Sequence, residues 1–116
     1  MKFSALVAIV PDDLEQTTID TARELGAGGI TLLHGRGISN SAKKSFFGMT
    51  FDGSQSVLLM VLEKGLSLDI LKAVQHILTA QDGNSHGIVF TLPLEHLAGI
   101  DMSQVHKFEQ HVKDNL

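Results

Sequence analysis

The sequence predicts an α+β fold: a βαββαβ sandwich with a long connection after its second strand and one further helix at the C-terminus. Two observations predict it. Short apolar segments rich in β-branched residues alternate with segments whose apolar residues recur at helical spacing, and glycine or proline separates them. The length of 116 residues suits a single domain, 1–116, with a core over 1–100 and a helix over 101–116.

The first half of the chain is predicted to form a strand, a helix and a second strand. Residues 3–10 (FSALVAIV) are apolar, and Pro11 ends this strand because proline has no N–H to donate. Asp12 or Asp13 is predicted to cap the helix that follows. One face of that helix carries Leu14, Thr18, Ala22 and Leu25. The segment GAGG, 26–29, ends the helix, and GITLL then predicts the second strand.

The second half is predicted to form a strand, a helix and a last strand. Residues 57–63 predict the third strand, and Ser67 is predicted to cap the second helix. The apolar stripe of this helix is formed by Ile70, Leu71, Val74, Ile77 and Leu78. IVFTL, closed by Pro93, predicts the fourth strand, and a final helix begins at Asp101. This order is typical of a ferredoxin-like sandwich, with both helices on one face of an antiparallel sheet.

The second face of this sheet is also expected to be apolar. We assign to it the side chains Leu6, Leu58, Met60 and Leu62. Since the two helices of the sandwich cover only one face, we expect copies of the chain to associate through the other.

Composition excludes several classes of function. The net charge is −4 and the sequence pI is about 5.8, so the chain lacks the basic surface of a nucleic-acid-binding protein. It contains no cysteine, which excludes disulfides and thiolate chemistry and fits a cytoplasmic protein. The apolar run near the N-terminus is too short to span a membrane and no cleavage site follows it, so we expect neither membrane insertion nor secretion.

Two glycine-bearing turns are the candidate ligand sites. In HGRG, Gly35 and Gly37 would let backbone N–H groups approach a phosphate, and Arg36 would supply a positive charge. The second turn, DGNSHG, contributes Gly83, Asn84, Ser85, His86 and Gly87. In a βαββαβ sandwich the end of the second strand and the start of the fourth can line one edge. Each turn has a plainer alternative, since the first can be a bend where the chain leaves the sheet and the second an ordinary loop.

The sequence offers no catalytic set, and we do not expect an enzyme. It has no G-x-S-x-G or Ser-x-x-Lys motif, and its carboxylates occur mainly at predicted helix ends and helix surfaces. The chain has six histidines, but none are paired at the i, i+4 spacing of a zinc-binding helix, so no metal ligand is assigned.

The long loop, 38–52, is the candidate contact surface for a protein partner. Loops of this length in small domains are usually functional or disordered. Its candidate contact residues are Lys43, Lys44, Phe46 and Phe47. Exposed aromatic side chains beside lysines suit a binding tip. The alternative, equally weighted, is that the phenylalanines fold back into a small cluster and the lysines are merely solvated.

With these elements in order, the chain resembles a divergent, PII-like member of the PII nitrogen-regulatory signal-transduction superfamily. The residues that carry the resemblance are GAGGITLLHGRG before the long loop, FFG within it, SVLLMVLEKGLSLDILKAVQHIL after it and GNSHGIVFTLPLEHLAGI near the end. The resemblance implies a homotrimer with nucleotide clefts between neighbouring subunits. It also implies that Gly35, Gly37 and residues 83–87 hold ATP or ADP, and that loop 38–52 is the T-loop that contacts a regulated protein.

Several residues depart from the family pattern. Ile38, Ser39 and Asn40 stand where the family has a glutamine that helps to bind ATP–magnesium and 2-oxoglutarate. His86 stands where the second turn usually has a basic residue, and LEHLAG replaces an arginine pair after the last strand. The chain has no tyrosine, which excludes uridylylation of a loop tyrosine. ADP, AMP or another small adenine nucleotide therefore stays a candidate alongside ATP.

The leading hypothesis is a non-catalytic regulator that senses a small ligand at subunit clefts. It would control an enzyme or a membrane transporter, with nitrogen metabolism as the implied setting. The alternative is a trimeric divalent-metal-binding or tolerance protein of related fold, which would use some of the six histidines, with His34 and His86 the first to test.

Overall fold

The computed structural model describes residues 1–37, 54–79 and 86–99, and the backbone of 45–46 and 49–50. Its strands are β1 (Phe3–Pro11), β2 (Thr31–Arg36), β3 (Ser45–Phe46), β4 (Met49–Thr50), β5 (Ser54–Glu63) and β6 (Ile88–Pro93). Its helices are α1 (Glu15–Leu25), preceded by a 3-10 turn at Asp12–Leu14, and α2 (Lys64–Leu78). Four strands form one antiparallel sheet in the order β2-β5-β1-β6. The predicted ferredoxin-like α+β fold is confirmed.

Two parts of the chain differ from the predicted elements or lie beyond them. The short strands β3 and β4 pair with each other inside the predicted loop 38–52, and the sequence did not predict them. The predicted C-terminal helix, 101–116, falls outside the described residues, so the division into a core over 1–100 and a terminal helix stays a prediction.

The core lies between the two helices and one face of the sheet. From the sheet it contains Leu6, Ala8, Val10, Leu58, Met60 and Leu62, each at most 1% exposed. From the helices it contains Ala22, Leu66, Ile70, Val74 and Leu78. The assignment of Leu6, Leu58, Met60 and Leu62 to the second face was therefore wrong. Both faces of these strands are apolar, so the alternation of residues separated the two faces without indicating which one the helices cover.

The second face of the sheet carries the other set of alternating residues, and no helix among the described residues covers it. Val7 of β1 pairs with Leu59 of β5 and Phe90 of β6, which places the three side chains on this face. Four large apolar residues here, Leu33, Leu59, Val61 and Leu92, are between 37% and 53% exposed. We call the apolar surface around them the open face. The expectation that the second face is apolar holds, with different residues.

The two helices begin differently from the prediction. Neither Asp12 nor Asp13 caps α1, which starts after Leu14 without a side-chain cap. Helix α2 starts at Lys64, directly after β5. Glu63 caps it by accepting hydrogen bonds from the backbone N–H groups of Gly65 and Leu66. The predicted cap Ser67 lies one turn inside this helix and donates to the Lys64 carbonyl instead.

Helix α1 ends where the sequence predicts. Gly26 ends α1 with a φ of 120°, a conformation that favours glycine.

Among the residues that the structure describes, no helix combines the length and apolar character that crossing a bilayer requires.

Candidate functional site

The first glycine segment forms the end of an edge strand. Gly35 and Arg36 are the last residues of β2, paired with Gln55 and Ser54, and Gly37 follows the strand. Among the described residues, a Cβ built on Gly35 would meet no atom within 4 Å. Packing against the described part of the chain therefore does not require this glycine, and a ligand would have room to approach it there.

The second glycine segment is packed against the core. The backbone N–H of His86 donates to the Leu78 carbonyl oxygen at 2.8 Å, which ties the start of β6 to the end of α2. Gly87 is buried, and a Cβ there would lie 2.6 Å from the Ile9 carbonyl oxygen and 2.8 Å from Leu78 Cδ2. Packing alone therefore explains this glycine. Gly83, Asn84 and Ser85 lie outside the described residues.

The two glycine segments occupy the same end of the sheet on opposite edges. Gly35 and Pro11 both pair with Gln55, and Ile9, close to the end of β1, pairs with Ile88 at the start of β6. Because β5 and β1 lie between the edge strands β2 and β6, three strand spacings separate the segments, or about 14 Å. Within one chain they face in the same direction but do not meet.

Of the predicted partner-loop residues, Lys43, Lys44 and Phe47 lie outside the described residues. The backbone of Phe46 belongs to β3 and pairs with Met49 of β4. The predicted loop therefore contains a short hairpin.

A third group of polar residues, which we call the Asp–Glu–His cluster, lies beside the first glycine segment. Its members are Asp12, Glu15 and His34, with ligand atoms all within 4.8 Å of one another. His34 Nδ1 lies 3.9 Å from Asp12 Oδ1, and His34 Nε2 lies 3.8 Å from Glu15 Oε1. Beneath the carboxylates, the Ser56 Oγ lies 2.8 Å from Asp12 Oδ1 and 2.7 Å from Glu15 Oε1.

Four elements place these side chains together. Pro11 ends β1, so Asp12 enters the 3-10 turn above the sheet, and Glu15 follows as the first residue of α1. His34 of β2 pairs directly with Ser56 of β5, so both side chains point to the helix-covered side of the sheet. The close approach follows from the sheet register, which joins residues far apart in the sequence.

Sequence reasoning missed three of these four residues. Asp12 was read as a helix cap, and Glu15 and Ser56 were not singled out. His34 was considered as the first residue of HGRG and, with His86, as a candidate metal ligand, and the structure places it on the opposite edge of the sheet from His86. A search for an Asp-x-x-Glu pair directly after one strand, with a histidine at the same end of another, would have found the cluster.

Comparison with known proteins identifies the fold. No family model matches the sequence, and no curated protein matches it either. A DUF3240 family protein from Shewanella baltica OS155 matches with a TM-score of 0.64 at 15% identity, covering 87% of this chain and 99% of that one. The apo form of CPII from Thiomonas intermedia K12, a nitrogen regulatory PII-like protein, matches with a TM-score of 0.60 at 18% identity, covering 81% and 90%. GlnK from B. subtilis, solved with ATP, matches with a TM-score of 0.57 at 11% identity, covering 81% and 85%.

The chain has the PII-like fold. The resemblance drawn from the sequence motifs is thereby confirmed at the level of the fold. In the terms of that fold, β2 leads into the long loop at Gly35–Gly37, and β6 follows the second glycine turn. The Asp–Glu–His cluster lies at the base of the long loop, since His34 immediately precedes Gly35.

Proposed function

We propose that this chain is a non-catalytic regulator of the PII superfamily that binds an adenine nucleotide between subunits. One observation carries the proposal: both glycine segments lie at one end of a PII-like fold, and no described atom would lie within 4 Å of a Cβ on Gly35. CPII has been solved with ADP and AMP and GlnK with ATP, so this fold accommodates adenine nucleotides. The candidate ligand residues are Gly35, Arg36, Gly37, His86 and Gly87, with the turn residues Gly83, Asn84 and Ser85.

The geometry favours a cleft between chains over one within a chain. A single chain holds its two glycine segments about 14 Å apart, on opposite edges of the sheet. Assembly through the open face would bring the β2 edge of one copy towards the β6 edge of the next. A homotrimer would cover the apolar open face and would also form a cleft at each subunit junction.

The ligand we propose is ADP or AMP, which needs fewer phosphate contacts than ATP. Ile38, Ser39 and Asn40 replace the glutamine that would serve ATP–magnesium, and His86 replaces a basic residue. Among the candidate residues, Arg36 is the one that carries a permanent positive charge for a phosphate.

Calorimetric titration with ADP, AMP and ATP tests the ligand. We expect ADP or AMP to bind, and Arg36→Gln to weaken binding by about tenfold or more, because a charge-assisted contact to phosphate is lost. Arg23→Gln is the matched control, since Arg23 lies exposed in the last turn of α1 and should leave affinity unchanged. Flat titrations with all three nucleotides would remove nucleotide sensing.

Light scattering on two matched variants tests the assembly. Leu59→Glu places a charge on the open face, whereas Leu68→Glu places one on α2, at a leucine that is 44% exposed. We expect the first variant to lose the trimeric mass and the second to keep it. A Leu59→Glu protein that stays trimeric would show that the open face is not the interface.

We further propose that loop 38–52 contacts the regulated protein, an enzyme or a transporter in nitrogen metabolism, and that the protein acts in the cytoplasm. Deleting 39–52 should keep the assembly and abolish capture of the partner. Joint replacement of Lys43, Lys44, Phe46 and Phe47 by Ala should do the same with less disturbance of the chain. If the deletion unfolds the domain, as judged by circular dichroism, the loop has a structural role instead.

A further inference from the structure

We propose that Asp12, Glu15 and His34 bind a divalent transition-metal ion such as Zn²⁺. This site is separate from the proposed nucleotide cleft, because its three donors come from one chain and from different residues. It would make the base of the long loop responsive to metal as well as to nucleotide.

The donor set is that of a metal site. Two carboxylate oxygens and one imidazole nitrogen converge, with ligand atoms within 4.8 Å of one another. Zinc in proteins is held by imidazole nitrogens and carboxylate oxygens among other donors, and sites with three protein ligands leave a fourth position open to water. The imidazole distinguishes this cluster from an acidic patch, since a neutral nitrogen from a separate strand adds affinity without adding negative charge.

Binding an ion would require the His34 ring to turn. His34 Nδ1 lies 3.9 Å from Asp12 Oδ1 and His34 Nε2 lies 3.8 Å from Glu15 Oε1, and both distances are too long for a hydrogen bond. One ion binds only one of these nitrogens, and metal bonds of about 2.0–2.2 Å at tetrahedral angles place that nitrogen about 3.4 Å from each carboxylate oxygen. The His34 side chain is 66% exposed, so its ring can turn one nitrogen towards both carboxylates.

Ser56 positions the two carboxylates. Its hydroxyl lies 2.8 Å from the Asp12 oxygen and 2.7 Å from the Glu15 oxygen, but it has one proton and can donate to only one of them at a time. Ser56 itself is fully buried. The serine therefore holds both acceptors beside His34 without neutralising either charge.

The charge of the cluster also favours a cation. Among the residues that the structure describes, no Lys or Arg forms an ion pair with Asp12 or Glu15, and His34 is their partner. A divalent ion would neutralise both carboxylates. The alternative is that His34 pairs with both carboxylates without an ion, and it predicts no uptake of metal.

The donor types select among cations. Imidazole nitrogen suits zinc, copper and nickel, whereas calcium and magnesium prefer sites made of oxygen alone. We therefore expect Zn²⁺ to bind in the presence of excess Mg²⁺, and Co²⁺ to serve as a visible probe of the ligand geometry.

Titration of the full-length protein with ZnCl₂, followed by calorimetry, tests the site. We expect one ion per chain and a rise in Tm on adding metal, because the ion binds the folded state. His34→Ala and the pair Asp12→Asn, Glu15→Gln should each lower affinity at least tenfold and cancel the rise in Tm. Binding of Co²⁺ should give a visible absorption band in the unmodified protein that these variants lose.

His96→Ala is the matched control. His96 Nε2 lies 3.7 Å from Glu95 Oε1, so this pair repeats the histidine–carboxylate contact on the surface, with no third donor among the described residues. We expect this variant to bind zinc as the unmodified protein does. The proposal is overturned if the unmodified protein takes up no zinc, or if His96→Ala lowers affinity as much as His34→Ala.

The zinc titration tests the metal site independently of nucleotide binding. Zinc is titrated without nucleotide, and the nucleotide titrations are made in the presence of a chelator. Zinc uptake with flat nucleotide titrations would leave the metal site standing and remove nucleotide sensing, and the reverse pattern would remove the metal site alone.

Discussion

Gly35 and Gly87 lie at the same end of the sheet, and both belong to turns that the sequence marks as ligand sites, but their surroundings are opposite. Among the described residues, a Cβ on Gly35 would meet nothing within 4 Å, whereas a Cβ on Gly87 would lie 2.6 Å from a backbone oxygen. The corner at Gly35 includes the polar Asp–Glu–His cluster. The corner at Gly87 is closed by Ile9 and Leu78.

The difference shows that a glycine in a ligand motif can be required for two unrelated reasons. At Gly87 the reason is the approach of one strand to its neighbour, and it holds whether or not a ligand binds. At Gly35 the described residues give no packing reason, which leaves space there for a ligand or a neighbouring copy. Three substitutions test this contrast, from the largest expected effect to the smallest.

Gly87→Ala should cost the most stability. The added methyl group must displace the Ile9 carbonyl and the Leu78 side chain, and overpacking of this kind costs about 3 kcal/mol. Equilibrium unfolding in urea, followed by circular dichroism because the chain has no Trp or Tyr, measures the loss. A loss below about 1 kcal/mol would mean that the junction of α2 and β6 yields easily and that packing does not require this glycine.

Ser56→Ala should have an intermediate effect. It removes a buried hydroxyl that serves two carboxylates, but those carboxylates are partly exposed and water can replace the donor, so we expect a loss of about 1 kcal/mol. Ser67→Ala is the matched control, because Ser67 is also buried but donates to a helix carbonyl. Equal losses of unfolding free energy in the two variants would show that the contacts of Ser56 with Asp12 and Glu15 contribute no more than those of another buried serine.

Gly35→Ala should have the smallest effect, with the opposite sign. Gly35 lies in a strand, and the glycines with positive φ in the described part are Gly26 and Gly99, so alanine fits its backbone. We expect a gain of about 0.5 kcal/mol, since alanine restricts the unfolded chain. Urea unfolding at low protein concentration isolates this effect, and a loss there would mean that Gly35 is packed after all.

The sequence predicted the fold because its local signals agree. Gly26 and Pro93 end elements where predicted, and the stripe of Ile70, Val74 and Leu78 is buried as its spacing requires. The helix starts were predicted less well. Glu63 caps α2 and Ser67 does not. Strand β5 leads into the helix without a loop, so the helix begins at Lys64, before the predicted cap at Ser67.

The site was predicted only in part, for a physical reason. A turn motif is local, so HGRG could be recognised from adjacent residues, and the structure places it at a strand end. The Asp–Glu–His cluster depends on pairing between strands. Ser56 and Asp12 are 44 positions apart and meet because of the sheet register, which single-sequence patterns do not specify when both faces of a strand are apolar.

Strand β2 has a consequence for solubility. All six of its residues are exposed, and within the described part its outer edge pairs with no other strand. Natural proteins guard such edges with proline or charge, as Pro93 does at the end of β6, because an unpaired strand invites aggregation. Under the proposed assembly, a separated chain would expose a free strand edge next to an apolar surface. Association would then keep the protein in solution, in addition to forming its ligand site.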